Sequence, residues 1–569
     1  MYQKNDVLIG TVEGLGSNGE GIIRQEGVTF FVPFCLLGEK VKFLLLKKKD
    51  NIGYGKMLEV IEPSKERTEA KCPVFARCGG CQLQHASYSS QLSFKREMVR
   101  NTLQKIGGIS ARVEEVIKSA KEFGYRNKLQ LPVGADKNGE LAIGFFAEHS
   151  HRIVPIEDCS IHPNWVQDVI SALREYAKNN GIKGYDEENR SGEIRHIVVR
   201  ELDGQFIITL VSTTERLPQI HTFFQRLQGI FRECTLWLNI NAKPTNVIFG
   251  DRFLLVGGKG YYTAQEKGIF YEAGPKTFVQ INADVRGELY EEALRAVTGE
   301  GDEVVIDAYS GGGLLTAMVA KRAKRVYGIE IEREASACAD GLKEKNNLAN
   351  MTNICGAVEE KLAGVLQAEK GEKIRLILDP PRAGIHRSVI KAIIQSGIPK
   401  IALISCNPTT LARDLGLLTG YLVEEDGQLK KGKGEGRYEI EYIRPYDMFP
   451  QTKHVETLVV LSHKKPDGHI SVNVEFGEEE GQVSLKDIEK RAKEREPKKK
   501  TTYKDIQAYI EEKYGFKVHT SYIAEVKRDL GLPMYDAPNA VEELKKPRQH
   551  PTEKMVEAIK DALKYFEII

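Results

Sequence analysis

The spacing of apolar residues changes along the chain, and each change marks a different kind of element. Over Val7–Glu13, Val28–Pro33 and Lys40–Leu46 apolar and polar residues alternate, the period of half-buried strands. Gly14–Gly21 holds four glycines between two of these runs. No helical period appears, so residues 1–62 predict a small β-barrel of about five short strands. The period then lengthens. Leu92, Met98, Val99, Leu103 and Ile106 make an apolar stripe that predicts a helix over 88–106. From there to about 275, strands and helices alternate in an α+β pattern. Tyr125–Lys128 opens a strand and Gly144–Phe146 closes one. Arg195–Arg200 and Phe206–Val211 flank Asp203-Gly204, a hairpin signal, and Thr235–Asn241 with Asn246–Phe249 predict a second pair.

A third regime follows a helix at 280–299, where Val285, Leu289, Ala293 and Val297 share one face. Short apolar runs now stop at glycine or proline turns. Val304–Ile306 leads to Asp307 and the turn Gly311-Gly312-Gly313, and Arg325–Ile329 ends on Glu330. Ile374–Leu378 runs into Asp379-Pro380-Pro381, and Ile401–Ile404 into Ser405-Cys406-Asn407-Pro408. Runs of this kind are buried parallel strands, and open α/β sheets bind ligands beyond the carboxyl ends of such strands. The fold class is α/β. The expected domains are a β-barrel at 1–62, a central α+β domain at 63–275, a nucleotide-binding α/β domain at 276–464, a charged linker at 465–500 and a helical extension at 501–569. In the extension, Tyr503–Tyr514 and Thr520–Leu530 flank a turn at Gly515–Val518 and predict a helix-turn-helix with Lys517, His519, Lys527 and Arg528 on its polar face. Glu553–Phe566 predicts one more amphipathic helix.

Charge changes this picture little. The chain has 82 Lys+Arg against 80 Asp+Glu, a net +2. Local basic patches decide nucleic-acid contact in such a case. Lys47, Lys48 and Lys49 in a predicted barrel loop, with Lys56 beyond, form one candidate patch, and Arg126, Lys128 and Arg195 are candidate phosphate contacts. No apolar run approaches a membrane span, and the first residues lack a signal peptide, so the expectation is a cytoplasmic protein, by default a monomer.

Cysteine usage adds chemistry. Nine cysteines in the cytosol argue against a disulfide framework. Cys72, Cys78 and Cys81 fall within ten residues, and Cys159 is a fourth candidate; zinc and an iron–sulfur cluster fit this spacing equally. Cys35, Cys234, Cys338 and Cys355 read as ordinary thiols. Cys406 is expected near a helix N-terminus, which lowers a thiol pKa and makes a nucleophile. The two prolines hold Asp379 in one orientation. Glu456 interrupts the start of an apolar strand, where a carboxylate is uncommon unless paired or used, and could return to the same crevice as a proton acceptor. A glycine turn followed by an acid ending the next strand fits S-adenosylmethionine at least as well as a dinucleotide, whose G-x-G-x-x-G is absent.

Cys78-Gly79-Gly80-Cys81-Gln82, Phe278-Val279-Gln280-Ile281-Asn282, Asp379-Pro380-Pro381-Arg382-Ala383-Gly384, Ser405-Cys406-Asn407-Pro408 and Asp447-Met448-Phe449-Pro450 with His454-Val455-Glu456 occur in this order. Together they resemble the RNA uracil-5-methyltransferases, specifically the iron–sulfur-containing 23S ribosomal RNA branch, over residues 1 to about 464. Residues 1–62 resemble its TRAM barrel, an RNA-binding module. The resemblance implies that Cys406 attacks uracil C6, that C5 takes a methyl group from S-adenosylmethionine, and that Glu456 removes the C5 proton. It gives Asp379 the uracil edge, and places Gln280, Tyr309, Gly311, Glu330 and Asp379 around a Rossmann-like cofactor pocket. It makes Cys72, Cys78, Cys81 and Cys159 ligands of a [4Fe-4S] cluster, and names 23S rRNA as partner. Outside the resemblance, the helix-turn-helix of 501–569 gives an expected second nucleic-acid contact. One departure is Asp307-Ala308-Tyr309-Ser310-Gly311, where the family often has Asp-Leu-x-Cys-Gly. The rival readings are a tRNA uracil-5-methyltransferase with the same chemistry, a non-catalytic cluster-containing RNA-binding protein, and a DNA cytosine-5-methyltransferase.

Overall fold

The computed structural model describes residues 2–136, 140–277, 279–425, 427–464, 503–530 and 550–566. The expected linker at 465–500 lies outside them. The chain divides into two compact units, 1–468 and 469–569.

In the first unit, residues 7–62 form a six-stranded sheet around Val12, Ile23, Phe30, Val32, Val41, Phe43 and Leu45. The strands include Val7–Thr11, Gly21–Gln25, Val28–Val32, Lys40–Lys49 and Ile52–Glu62. The sheet curls: the opening segment pairs through Val7–Thr11 with Lys40–Lys49 and through Gly14–Leu15 with Gly21–Gln25, the two ends of the strand order. Gln25 Nε2 donates to the Ile9 carbonyl at 2.7 Å across that seam. The strands number six, one more than expected. Lys47, Lys48 and Lys49 also depart from expectation: they end a ten-residue strand, paired with Tyr54, Gly53 and Ile52, and are not in a loop.

The central sheet has seven strands. Lys128–Ala135 pairs antiparallel with Ile194–Leu202, which forms the predicted hairpin with Gln205–Ser212. Leu129, Leu131 and Val133 face a core built with the helices Trp165–Asn180 and Ile220–Ile230. The opposite face meets the α/β part at 276–464, the candidate catalytic part, and Leu202 and Ile207 join its core. The second predicted pair is displaced: Glu233–Ile240 pairs with Arg252–Gly257, while 246–249 is irregular. Arg195 explains the irregular stretch. Its guanidinium donates to the carbonyls of Asn241, Lys243 and Thr245 at 2.6–3.0 Å, so it pins the loop and is not a phosphate contact.

The catalytic sheet also has seven strands. Five run parallel: Met351–Cys355, Arg325–Glu330, Val304–Ala308, Ile374–Leu378 and Lys400–Ser405, in that spatial order. Glu456–His463 and Tyr438–Tyr446 extend it antiparallel. The strand order reverses direction between Val304–Ala308 and Ile374–Leu378, the position at which open sheets bind ligands. Helix Tyr88–Gly107 packs on helix Pro408–Thr419, and Val99 and Leu103 share its core with Leu411, Ala412 and Leu415.

The second unit contains helices Tyr503–Tyr514, Thr520–Asp529 and Glu553–Tyr565 around Ile506, Ile510, Val518, Ile523, Val526, Ile559 and Leu563. Three of the four polar residues expected to face nucleic acid have local partners. Lys517 pairs with Glu511, His519 caps its helix at Ser521, and Lys527 lies over the Tyr503 ring. No described helix is long and apolar enough to cross a membrane.

Candidate active site

Strand register brings the chemistry together. Ser405 pairs with Thr457 in the antiparallel ladder, so the next positions, Cys406 and Glu456, adjoin across two strand ends. Leu378 pairs with Ala308, so Asp379 and Tyr309 emerge side by side at the switch point. The Asp379 and Cys406 turns are tied to each other: Asn407 Nδ2 donates to the Arg382 carbonyl at 3.0 Å, and Thr410 Oγ1 donates to it at 3.3 Å.

Burial dominates the electrostatics. Asp379 carries a carboxyl pushed up to about 7 by burial alone. Glu456 is 3% exposed, and burial followed by the Asp379 charge pushes it well above the usual carboxylate range, with Arg382 opposing. Two buried carboxyls this close cannot both ionise cheaply. The Cys406 thiol is corrected relative to expectation. It does precede helix Pro408–Thr419, but burial and then Glu456 push it up to about 11, against which Arg382 pulls by charge and by a hydrogen bond. Low-dielectric surroundings and a neighbouring carboxylate outweigh the helix end.

Arg382 is thus the residue whose role the linear motif hides. Its signal in the sequence is its position directly after the Asp379-Pro380-Pro381 turn. Phe449 and His454 join it along one wall, with their rings edge-on at 5.8 Å. Burial, then Arg382, pushes His454 down to about 4, leaving it neutral.

The cofactor side is built on the glycine turn. Glu330 accepts from the Gly311 amide at 2.9 Å on one oxygen and from the Glu332 amide at 2.8 Å on the other. Each oxygen keeps a lone pair for a hydroxyl donor. Gly311 has φ +54°, and a Cβ there would meet open space, as a turn bordering a ligand requires. Tyr309, at φ +68°, is fixed by its amide and that of Ser310 on the Ile329 carbonyl. Gln280 is buried, with its carbonyl accepting from Arg286 at 3.3 Å and Asn127 at 3.5 Å. Its neighbour Phe278 lies outside the described residues.

The iron–sulfur expectation is overturned. Among the described residues no group of three or more His, Cys, Asp or Glu side chains is placed to hold a metal ion. Cys72, Cys78, Cys81 and Cys159 all line one cavity of 310 Å³ together with Arg126, Arg382 and His454. Sharing a cavity is a looser condition than sharing a coordination sphere. Burial raises Cys78, raises Cys81 to about 12 and raises Cys159 as well. The spacing of the four cysteines led them to one place without making them a ligand set.

Comparison with known proteins gives the family. Residues 87–464 match the family model described as tRNA (Uracil-5-)-methyltransferase. The chain is 37% identical over 465 residues to an uncharacterized RNA methyltransferase of Halalkalibacterium halodurans, covering 81% of this chain and 98% of the relative. An uncharacterized RNA methyltransferase of Clostridium tetani is 36% identical over 468 residues, covering 81% and 97%. Among solved structures, the Pyrococcus abyssi tRNA (uracil-54, C5)-methyltransferase in complex with S-adenosyl-L-homocysteine superposes with a TM-score of 0.63 at 26% identity, covering 80% of this chain and 99% of that one. The chain therefore belongs to the tRNA (uracil-5-)-methyltransferase family, S-adenosylmethionine-dependent enzymes that methylate C5 of uridine in RNA.

Proposed function

We propose that this chain methylates C5 of a uridine in transfer RNA, with Cys406 as nucleophile and Glu456 as base. The observation that carries the reading is the ladder pair Ser405–Thr457, which sets Cys406 against Glu456, with the Asp379 charge acting on both. Uracil C5 is a poor nucleophile until C6 is attacked. The Cys406 thiol gives its proton to solvent as its sulfur bonds C6, and the C5–C6 π pair moves to form an enolate, held at O4 or N3 by Asp379. S-adenosylmethionine supplies the methyl group to C5. Glu456 takes the C5 proton, the electron pair re-forms C5=C6, and the C6–S bond breaks to release Cys406. Arg382, bonded to the thiol and acting on Glu456, stabilises the thiolate on departure. Glu330, Gly311, Tyr309 and Gln280 hold the cofactor.

Transfer RNA replaces 23S ribosomal RNA as the favoured substrate for two reasons. The ribosomal reading rested on the four-cysteine cluster. The matched family model and the solved relative both carry tRNA in their descriptions. The test is labelled methyl transfer from S-adenosylmethionine to unmodified tRNA and 23S RNA in parallel, each digested to nucleosides. Label in 5-methyluridine from tRNA is expected. Label from 23S RNA alone restores the ribosomal reading, and label at neither overturns the catalytic one.

A further inference from the structure

The chain neutralises its buried cations with care. Lys95 pairs with Asp447, Arg286 with Glu266, and Arg67 with Glu39. Arg195, which lacks an acid, spends its donors on three carbonyls and stacks on Tyr185. Against this habit three cations stand out. Arg126, Lys128 and Arg200 have no carboxylate within ion-pair distance among the described residues.

They are held as a group. Lys128 and Arg200 are direct partners across the antiparallel ladder, and Arg126 Nε donates to the Lys128 carbonyl at 3.1 Å. Leu129 and Leu131 turn toward the helices, so Lys128 and Arg200 lie on the opposite face. Ile207, the next residue across from Arg200, belongs to the core shared with the catalytic part, so this face looks toward it. Arg200 Nε donates to the Pro275 carbonyl at 3.1 Å, and the Asn127 amide donates to the Ile281 carbonyl at 3.1 Å. The cluster thus abuts the segment that carries Gln280. On its other side Arg126 lines the same cavity as Arg382, Phe449 and His454. Lys128 Nζ and the terminal nitrogens of both arginines have no described hydrogen-bond acceptor, so their donors are open.

Three converging cations with open donors and no counter-charge cost folding energy unless an anion completes them. Burial, Arg200 and Arg126 together push Lys128 down to about 8, the mark of a site short of negative charge. We propose that Arg126, Lys128 and Arg200 form a subsite for a backbone phosphodiester of the RNA beside the target uridine. Forked guanidinium and ammonium donors suit phosphate oxygens. The subsite rests on the RNA-methylation reading and deepens it: it fixes the strand so that the uracil reaches Cys406 from the Arg382 side. The cofactor's carboxylate has the same chemistry, and the segment 275–281 lies near its pocket, so the test separates the two sources.

The full chain and its Arg126→Gln, Lys128→Gln and Arg200→Gln variants would be titrated with fluorescent substrate RNA across a series of KCl concentrations. S-adenosylhomocysteine affinity would be measured by calorimetry on the same proteins. Because Arg200 is buried, Arg200→Lys serves as its fold-preserving counterpart. Each charge-removing variant is expected to weaken RNA binding and to flatten the slope of log affinity against log salt by about 0.7–1 per lost phosphate contact. S-adenosylhomocysteine affinity should stay within about two-fold, and Arg200→Lys should retain most of the slope. Unchanged salt slopes in folded variants overturn the subsite, even if methyl transfer to RNA proceeds in the wild type. Lost S-adenosylhomocysteine affinity with an unchanged slope also overturns it, and assigns the cations to the cofactor. Flattened slopes in a protein that transfers no methyl group support the subsite while the catalytic reading fails.

Discussion

Lys95 and Asp447, 352 positions apart in sequence, form an ion pair in which both side chains are fully buried. Lys95 Nζ also donates to the Phe449 carbonyl at 2.9 Å, so helix Tyr88–Gly107 clamps the segment that runs from Asp447 to Glu456. Breaking such a pair from one side leaves a buried charge alone, at a cost of about 3–5 kcal/mol. Lys95→Met is therefore expected to lower the melting temperature of the protein sharply. The double variant Lys95→Met/Asp447→Leu should recover part of that loss. A calorimetric scan of the two checks this, and equal melting temperatures for Lys95→Met and wild type would refute the clamp.

In the proposed mechanism Cys406 and Glu456 act in sequence on the same ring, so their variants should fail differently. Cys406→Ala should lose methyl transfer by at least about 10³-fold while retaining RNA and cofactor binding. Glu456→Gln should still attack C6 and accept the methyl group but stall before elimination. A protein–RNA adduct stable in a denaturing gel is then expected for Glu456→Gln and absent for Cys406→Ala. Turnover by Cys406→Ala would rule out the covalent route.

Asp307 is a buried acid under the cofactor turn, with Thr316 Oγ1 donating to it at 2.5 Å. Burial pushes its carboxyl up to about 7 from 3.8, with Thr316 opposing and Asp379 and Glu330 adding. The folded state therefore holds a proton that the unfolded chain releases near pH 4. Stability from this group falls as pH rises from about 4 to 7, and the penalty is complete above the folded value. Asp307→Asn keeps an acceptor for Thr316 and removes the charge. It should stabilise the protein by about 2–4 kcal/mol at pH 8 and leave it nearly unchanged at pH 4. Thermal melts at the two pH values read the difference.

Gly107 lies where helix Tyr88–Gly107 touches helix Pro408–Thr419. A Cβ there would stand 2.6 Å from the Ala412 carbonyl oxygen, and backbone cannot move aside cheaply. Gly107→Ala should destabilise by about 1–3 kcal/mol. Because the second helix begins two residues after Cys406, turnover should fall along with the melting temperature.

Residues 465–569 extend beyond the region matched by the family model. Their described residues, 503–530 and 550–566, pack around a core of their own. A chain ending at Lys464 is expected to keep its turnover on RNA within about three-fold, since the catalytic sheet is complete at His463. A methyl-transfer assay on the truncated chain tests it.

The sequence by itself determined most of the element types and singled out the groups that the proposed mechanism uses. Period-2 runs, the helical stripe of 88–106 and the apolar runs ending at Gly311, Asp379 and Cys406 are local consequences of side-chain burial and turn chemistry, and the structure has them. The pairing of Cys406 with Glu456 was also legible, since both sit at strand ends. Tertiary structure decided what depends on neighbours distant in sequence. The thiol of Cys406 is raised, not lowered, because burial and the Glu456 charge act through space, whereas the helix end is all that the local sequence displays. Four cysteines reach one cavity, but ligand geometry is a matter of side-chain positions that spacing does not fix. Arg195 and Lys128 look alike in the sequence as basic residues at strand starts. Only the packed chain shows that one has spent its donors on carbonyls while the other keeps them open, because hydrogen-bond satisfaction is settled by what folds against a residue and not by the residue itself.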